Sequence, residues 1–111
     1  MKKIDPMIIS VDDKTYTLEF SRKSVAEAER EGFAMTDDTA NVMNLVPELF
    51  YYAFKMHHPE VTHELTDDIL FNVLEGLTDD EIAKLAELYQ VPYTTLIRSE
   101  ARKNPRVTVR I

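Results

Sequence analysis

The block Leu49-Phe-Tyr-Tyr-Ala-Phe-Lys-Met-His-His58, closed by Pro59, constrains the fold more than any other stretch of the chain. It is the most apolar and aromatic segment, and two adjacent histidines and a helix-stopping proline end it. Apolar residues fall on nearly every side of a helix drawn through it. This places the helix centrally, with other elements against several of its faces. A buried stripe on a surface helix covers roughly 100 to 140°. By that measure one or both of Tyr51 and Tyr52 should lie near the surface, where tyrosine often anchors interfaces. A helix sandwiched on all sides is the alternative, and it would hide every ring.

The chain has 111 residues, one domain's length, spanning a hairpin over 7–20, a helical body over 21–103 and a terminal strand over 106–111. A chain this long can bury roughly two-thirds of its unfolded surface and needs no disulfide or metal staple. It contains no cysteine, which excludes thiolate metal sites and cysteine nucleophiles and fits a reducing cytoplasm. Met1-Lys-Lys-Ile-Asp-Pro6 lacks the apolar core of a signal peptide, and no run is long enough to span a bilayer.

Charge is unevenly placed. From Thr94 onward, Arg98, Arg102, Lys103, Arg106 and Arg110 oppose Glu100 alone, a net +4; the first 93 residues carry −11 of the total −7. An acidic body repels phosphate backbones and argues against nucleic acid as a partner. The basic end reads either as a solvated cationic face or as a docking surface for an acidic partner, including the body of another copy. With Tyr51, Tyr52 and Lys55, the arginines Arg98, Arg102, Arg106 and Arg110 are the candidate partner-binding residues.

Met7–Val11 and Tyr16–Phe20 are β-rich runs, the second alternating with Tyr16, Leu18 and Phe20 on one face. Asp12-Asp-Lys-Thr15 joins them as a hairpin loop longer than two residues. Ser21 opens the first helix, although Ser24-x-x-Glu27 also fits a capping box; Gly32 suits the left-handed C′ position, with Phe33 folding back onto the last turn. Three Thr-Asp-Asp copies, at Thr36, Thr66 and Thr78, read as helix N-caps rather than metal sites, since each precedes an apolar helical run. The second helix runs from Thr39 or Asn44 to Met56 with a break or kink near Asn44–Val46 ahead of Pro47. A third spans Asp67–Glu75, with Ile69, Leu70, Val73 and Leu74 at helical spacing and Gly76 as its stop. A fourth starts at Asp79, with Ile82, Leu85, Ala86 and Tyr89 on one face, and a fifth covers Tyr93–Lys103 after Pro92. Arg106-Val-Thr-Val-Arg-Ile111 alternates and follows Pro105, so it reads as a strand. The expected architecture is α+β: an N-terminal β-hairpin plus a C-terminal strand, with four to five helices packed on one side.

Chemistry-bearing patterns are sparse. His57, His58 and His63 are weak metal candidates, because adjacent helical histidines diverge by about 100° and no His-Glu-x-x-His occurs. The favoured reading is that they cap the negative end of the second helix, one ring packing on the core. No Gly-x-Ser-x-Gly elbow, phosphate-cradling loop or dinucleotide fingerprint is present, and only two glycines exist. The expectation is a non-enzymatic protein without cofactor, metal or membrane partner.

The segments Tyr16-Thr-Leu-Glu-Phe-Ser-Arg-Lys23, Glu31-Gly-Phe33, Leu49-Phe50…Ala53-Phe54…His57-His58-Pro59 and Leu85-Ala-Glu-Leu-Tyr89 resemble those of tail-assembly-chaperone-like proteins from long-tailed phages and prophages of Gram-positive bacteria. The likeness covers roughly residues 7 to 100. It implies binding of the tape-measure protein and help for tail-tube protein subunits polymerising around it, in the host cytoplasm, with absence from the mature virion and no catalytic residues. In some phages a frameshift appends a second domain to such proteins. The alternative function is a small cytosolic interaction or regulatory module unrelated to phage tails, self-assembling through its basic terminus and terminal strand into a homo-oligomer.

Overall fold

In the computed structural model, residues 4–35, 42–96 and 102–111 are described. Strands β1 (Met7–Val11) and β2 (Lys14–Leu18) form an antiparallel hairpin, followed by helices α1 (Arg22–Arg30), α2 (Val42–Lys55), α3 (His63–Asp68) and α4 (Asp79–Gln90). Helix α3 widens into a π-helical turn, Ile69–Val73, and α4 tightens into a 3₁₀ turn, Val91–Thr95. The architecture is α+β, with a two-stranded sheet. No helix among the described residues is long and apolar enough to cross a membrane.

The hairpin is tighter than its sequence suggests. Val11 pairs with Lys14, so Lys14 and Thr15 belong to β2 and only Asp12 and Asp13 form the turn. Asp12 takes a φ of 54°, a left-handed conformation that a short polar side chain tolerates. Alternation in β2 is as expected: Tyr16, Leu18 and Phe20 are buried, joined from β1 by Ile9.

Ser21 is the N-cap of α1. Its hydroxyl accepts from the Ser24 N–H at 3.1 Å, and the Ser24 hydroxyl accepts from the Ser21 N–H at 2.8 Å, a reciprocal box built from two serines. At the other end Gly32 has φ +97°, and the Phe33 N–H donates to the Ala28 carbonyl at 2.9 Å. This is the Schellman arrangement, and it turns the Phe33 ring back onto Tyr52 and Tyr89.

Helix α2 runs unbroken through Pro47. The proline removes the N–H that would bond the Met43 carbonyl, and Met43 is exposed, so water can serve that oxygen. Of the break or kink expected near Asn44–Val46, the break is not seen, and the Thr36-Asp-Asp38 cap falls outside the described residues.

Helix α3 begins earlier than expected. Thr62 is its N-cap, accepting from the Leu65 N–H at 3.1 Å. Thr66 instead sits inside the helix, fully buried, its hydroxyl donating to the His63 carbonyl. Thr78 caps α4 as predicted, its box completed by the Glu81 carboxylate accepting from the Thr78 N–H at 2.8 Å.

The expected C-terminal strand is absent. Among the described residues, 107–111 join no sheet, and all of 102–111 is exposed. Of the expected fifth helix, Val91–Thr95 is a 3₁₀ turn, 97–101 lie outside the described residues, and 102–104 are not helical. Propensity can mark a segment as strand-forming, but a strand needs an edge to pair with, and among the described residues the segment 106–111 lies against none in this chain.

Candidate functional site

Helix α2 is the axis of the fold. It packs against β2, α1, α3 and α4. Leu49, Phe50, Tyr51, Tyr52, Ala53 and Phe54 are consecutive buried residues, which only a helix covered on all sides can supply. Tyr51 and Tyr52 retain 7 % and 5 % exposure. The expectation that one of them reaches the surface is thus overturned, and with it the premise for their binding a partner. The physical reason is the number of neighbours: a stripe of 100 to 140° describes a helix on one core face, not a helix at the centre.

The hydroxyls explain how tyrosines tolerate this position. Tyr52 O–H donates to Glu31 Oε1 at 2.9 Å, and Tyr93 O–H donates to Glu29 Oε2 at 2.6 Å. The Tyr52 ring is enclosed and the Tyr93 ring half-buried, and each polar tip reaches a carboxylate of α1 or its C-cap. Burial, then the bond to Glu31, holds the Tyr52 phenol well above the usual tyrosine range. For Tyr93 the bond to Glu29 comes first, followed by Tyr89 and burial, and again raises it. Tyr89 is raised by burial; its oxygen makes no well-formed hydrogen bond, although the nearby Tyr93 hydroxyl acts on it in the opposite sense.

The histidines work as bolts between elements. His58 Nε2 accepts the Thr17 N–H at 3.0 Å, which requires the neutral ring with its proton on Nδ1. Its ring meets Tyr16 edge-on at 5.2 Å. Just past the end of β2, the Glu19 N–H donates to the Ala53 carbonyl at 3.0 Å. The last-turn carbonyls of a helix and the outer N–H groups of a strand are both orphans, and here β2 and the end of α2 satisfy each other. His57 Nε2 lies 2.8 Å from Glu19 Oε1, reinforcing the same joint. His63 stacks on Tyr51 with centroids 3.6 Å apart and reaches Glu48 Oε2 at 3.2 Å, fastening α3 to α2. The expected capping role is replaced by these cross-element bonds, while one ring packing on the core is seen in His58. Among the described residues no three His, Asp or Glu side chains are grouped to hold a metal ion.

His58→Ala should cost about 1–3 kcal/mol by leaving the Thr17 N–H without its acceptor. His58→Gln, whose amide oxygen reaches a similar position, should recover part of that loss. Amide hydrogen exchange at Thr17 reads the bond directly, and unchanged protection in His58→Ala would show that the imidazole is not its acceptor.

Lys55 is half-buried, its ammonium 5.4 Å above the Tyr51 ring and donating to the Pro59 carbonyl at 2.8 Å. Arg102, Arg106 and Arg110 are exposed, and Arg98 lies outside the described residues. The structure thus separates the expected binding set: tyrosines inside, Lys55 at a helix end, arginines on an extended tail.

A surface that sequence reasoning missed lies on α3. A groove of about 590 Å³ is lined by Thr62, Glu64, Leu65, Asp67, Asp68, Phe71 and Asn72. Phe71 is 54 % exposed and Val73 is exposed beside it. Val73 is exposed because of the π-helical turn. The Leu74 N–H bonds to the Ile69 carbonyl at 2.8 Å, five residues back. Leu74, rather than Val73, therefore stands one turn above Ile69, and Val73 rotates outward from the face where α-helical spacing would place it. The left-handed pair Glu75 and Gly76 then ends the element. Phe71 itself carried a legible signal, since it falls off the Ile69–Leu70 face on any helical spacing.

A search of curated proteins and a search of solved structures each find no match. The chain, over residues 1–111, belongs to the family described as a domain of unknown function, DUF5055.

Proposed function

We propose that the protein is a non-catalytic assembly chaperone of the phage-tail kind, acting in the bacterial cytoplasm and binding a helical segment of a tape-measure protein. The observation that carries this reading is the α3 groove, in which exposed Leu65 and Phe71 lie among Glu64, Asp67 and Asp68. Apolar anchors ringed by carboxylates suit an amphipathic helix that offers leucines and lysines or arginines. The likeness of the hairpin, the Glu31-Gly-Phe33 turn and the aromatic block to tail-assembly-chaperone-like proteins supplies the partner's identity.

Co-expression with a tape-measure protein tests it: the partner should stay in the soluble fraction and co-purify. Phe71→Asp should weaken that capture about tenfold or more while changing stability by less than about 0.5 kcal/mol, because an exposed side chain carries little folding energy. A partner that remains insoluble, or capture indifferent to Phe71→Asp, counts against the assignment.

A further inference from the structure

Among the described residues, the hairpin has one satisfied edge and one open edge. The N–H groups of Thr17 and Glu19 point away from β1, to His58 and Ala53. Thr17 is paired with Ile8, so Ile8 and, two residues on, Ser10 direct their backbone groups away from β2, to the open side. Met7-Ile-Ile-Ser-Val11 carries no proline, no charge and no bulge, the usual guards of an exposed edge. Ile8 is 55 % exposed on it.

The same chain holds an unengaged strand-like segment. Arg106–Ile111 alternates basic or polar residues with Val107, Val109 and Ile111, and those three apolar side chains are exposed. The segment belongs to the +4 end of a chain whose first 93 residues carry −11. It follows the turn Val91–Thr95, which packs on α1 and α4, whereas β1 packs on β2.

We propose that Arg106–Ile111 of a second copy adds to the open edge of β1 as an antiparallel third strand, two copies exchanging segments reciprocally. One register satisfies all constraints. Thr108 lies opposite Ser10 and Arg110 opposite Ile8, each pair exchanging backbone hydrogen bonds. Arg106 falls opposite Asp12, an opposite-charge pair. Val107, Val109 and Ile111 align with Val11, Ile9 and Met7, extending the face that carries buried Ile9. Pro105 falls opposite Asp13, at a position where the ladder needs no N–H. Each copy offers one edge and one segment, the self-complementarity that a two-fold dimer requires. The interface is separate from the α3 groove and stands whether or not that groove binds a tape-measure helix.

Light scattering of the full chain should give twice the chain mass. Thr108→Pro removes the N–H facing Ser10 without touching the folded body, and should halve the measured mass with unchanged melting of the monomer. The chain has no cysteine, so Ser10→Cys and Thr108→Cys variants can be mixed and mildly oxidised. Directly opposed residues stand about 4.5–5.5 Å apart at Cβ, close to disulfide distance, and an inter-chain bond between the two variants is expected. Three results would overturn the proposal: a monomer at every concentration, a dimer indifferent to Thr108→Pro, or a Ser10→Cys/Thr108→Cys chain that closes its disulfide within one copy.

Discussion

Phe54→Ala is expected to lower the unfolding free energy by about 3–5 kcal/mol, enough to leave little folded protein at 37 °C if total stability is near the low end of the usual 5–15 kcal/mol. Phe54 is fully buried and meets Phe50, Tyr16 and His58 edge-on or nearly so, with centroids at 5.0, 5.3 and 6.3 Å. It is the point where α2, β2 and the histidine bolt converge. Truncation removes its apolar area and leaves a cavity whose walls are held from three directions, so collapse is hindered. Edge-to-face ring contacts are lost as well, at about 0.5–1.5 kcal/mol each beyond area. Urea denaturation with an unchanged m-value would read the effect as stability alone. Tyr51→Ala and Tyr52→Ala should also be costly, by several kcal/mol, since both rings are enclosed. Near-neutral substitutions at Tyr51 and Tyr52 would restore them to the surface role that their burial denies.

Alkaline pH is the second large lever. Tyr52, Tyr89 and Tyr93 all have their phenols held above the ordinary value of 10 in the folded state. In the unfolded chain they ionise near 10. A folded-state value raised above the unfolded one gives stability that is complete below pH 10 and erodes as pH climbs beyond it, because the unfolded state sheds protons that the folded state keeps. The erosion approaches about 1.4 kcal/mol per pH unit for each of the enclosed phenols of Tyr52 and Tyr89, and less for half-buried Tyr93, where water screens the interaction. Midpoints in urea should be flat from pH 7 to 9 and fall steeply above 10. In absorbance titrations the phenolate signal of these three should appear together with unfolding. Tyr52→Phe removes one contributor, and its midpoint should fall less steeply with pH; an unchanged slope would mean that the Tyr52 phenol titrates freely.

Local features were the most legible part of the sequence. Ser21, Gly32, Gly76 and Thr78 act where their side-chain chemistry or backbone freedom is needed, and each does so within a few residues of chain. The alternation of Tyr16, Leu18 and Phe20 marked their shared face, because a strand's period of two is a covalent fact. Some local details were misread for local reasons. Thr62 and Thr66 compete as caps four residues apart, and the packing of Thr66 under the helix decided between them. Lys14 and Thr15 looked like loop but are strand, because Asp12 accepts a left-handed φ and lets the turn close in two residues.

The candidate surfaces were far less legible. The aromatic block announces a helix that must be well covered, yet the number of elements around it is a property of the whole packing. Four neighbours make Tyr51 and Tyr52 interior, and two neighbours would have left one of them outside. The exposure of Val73 beside the α3 groove depends on a single widened turn, which no residue between Ile69 and Val73 encodes by its type.

On its own, then, the sequence determined an α+β chain with a hairpin, capped helices, an apolar helix at the centre and a basic, alternating tail, since periodicity, capping chemistry and charge act over a few residues or one helical turn. Only the tertiary structure decided that the tyrosines are core, that the three histidines bolt strands and helices together, that a π-helical turn exposes Val73, and that β1 keeps an open edge while the tail pairs with nothing. Burial, edge pairing and helix-to-strand hydrogen bonds depend on which distant segments arrive as neighbours, and that arrangement is set by the free energy of the assembled core as a whole.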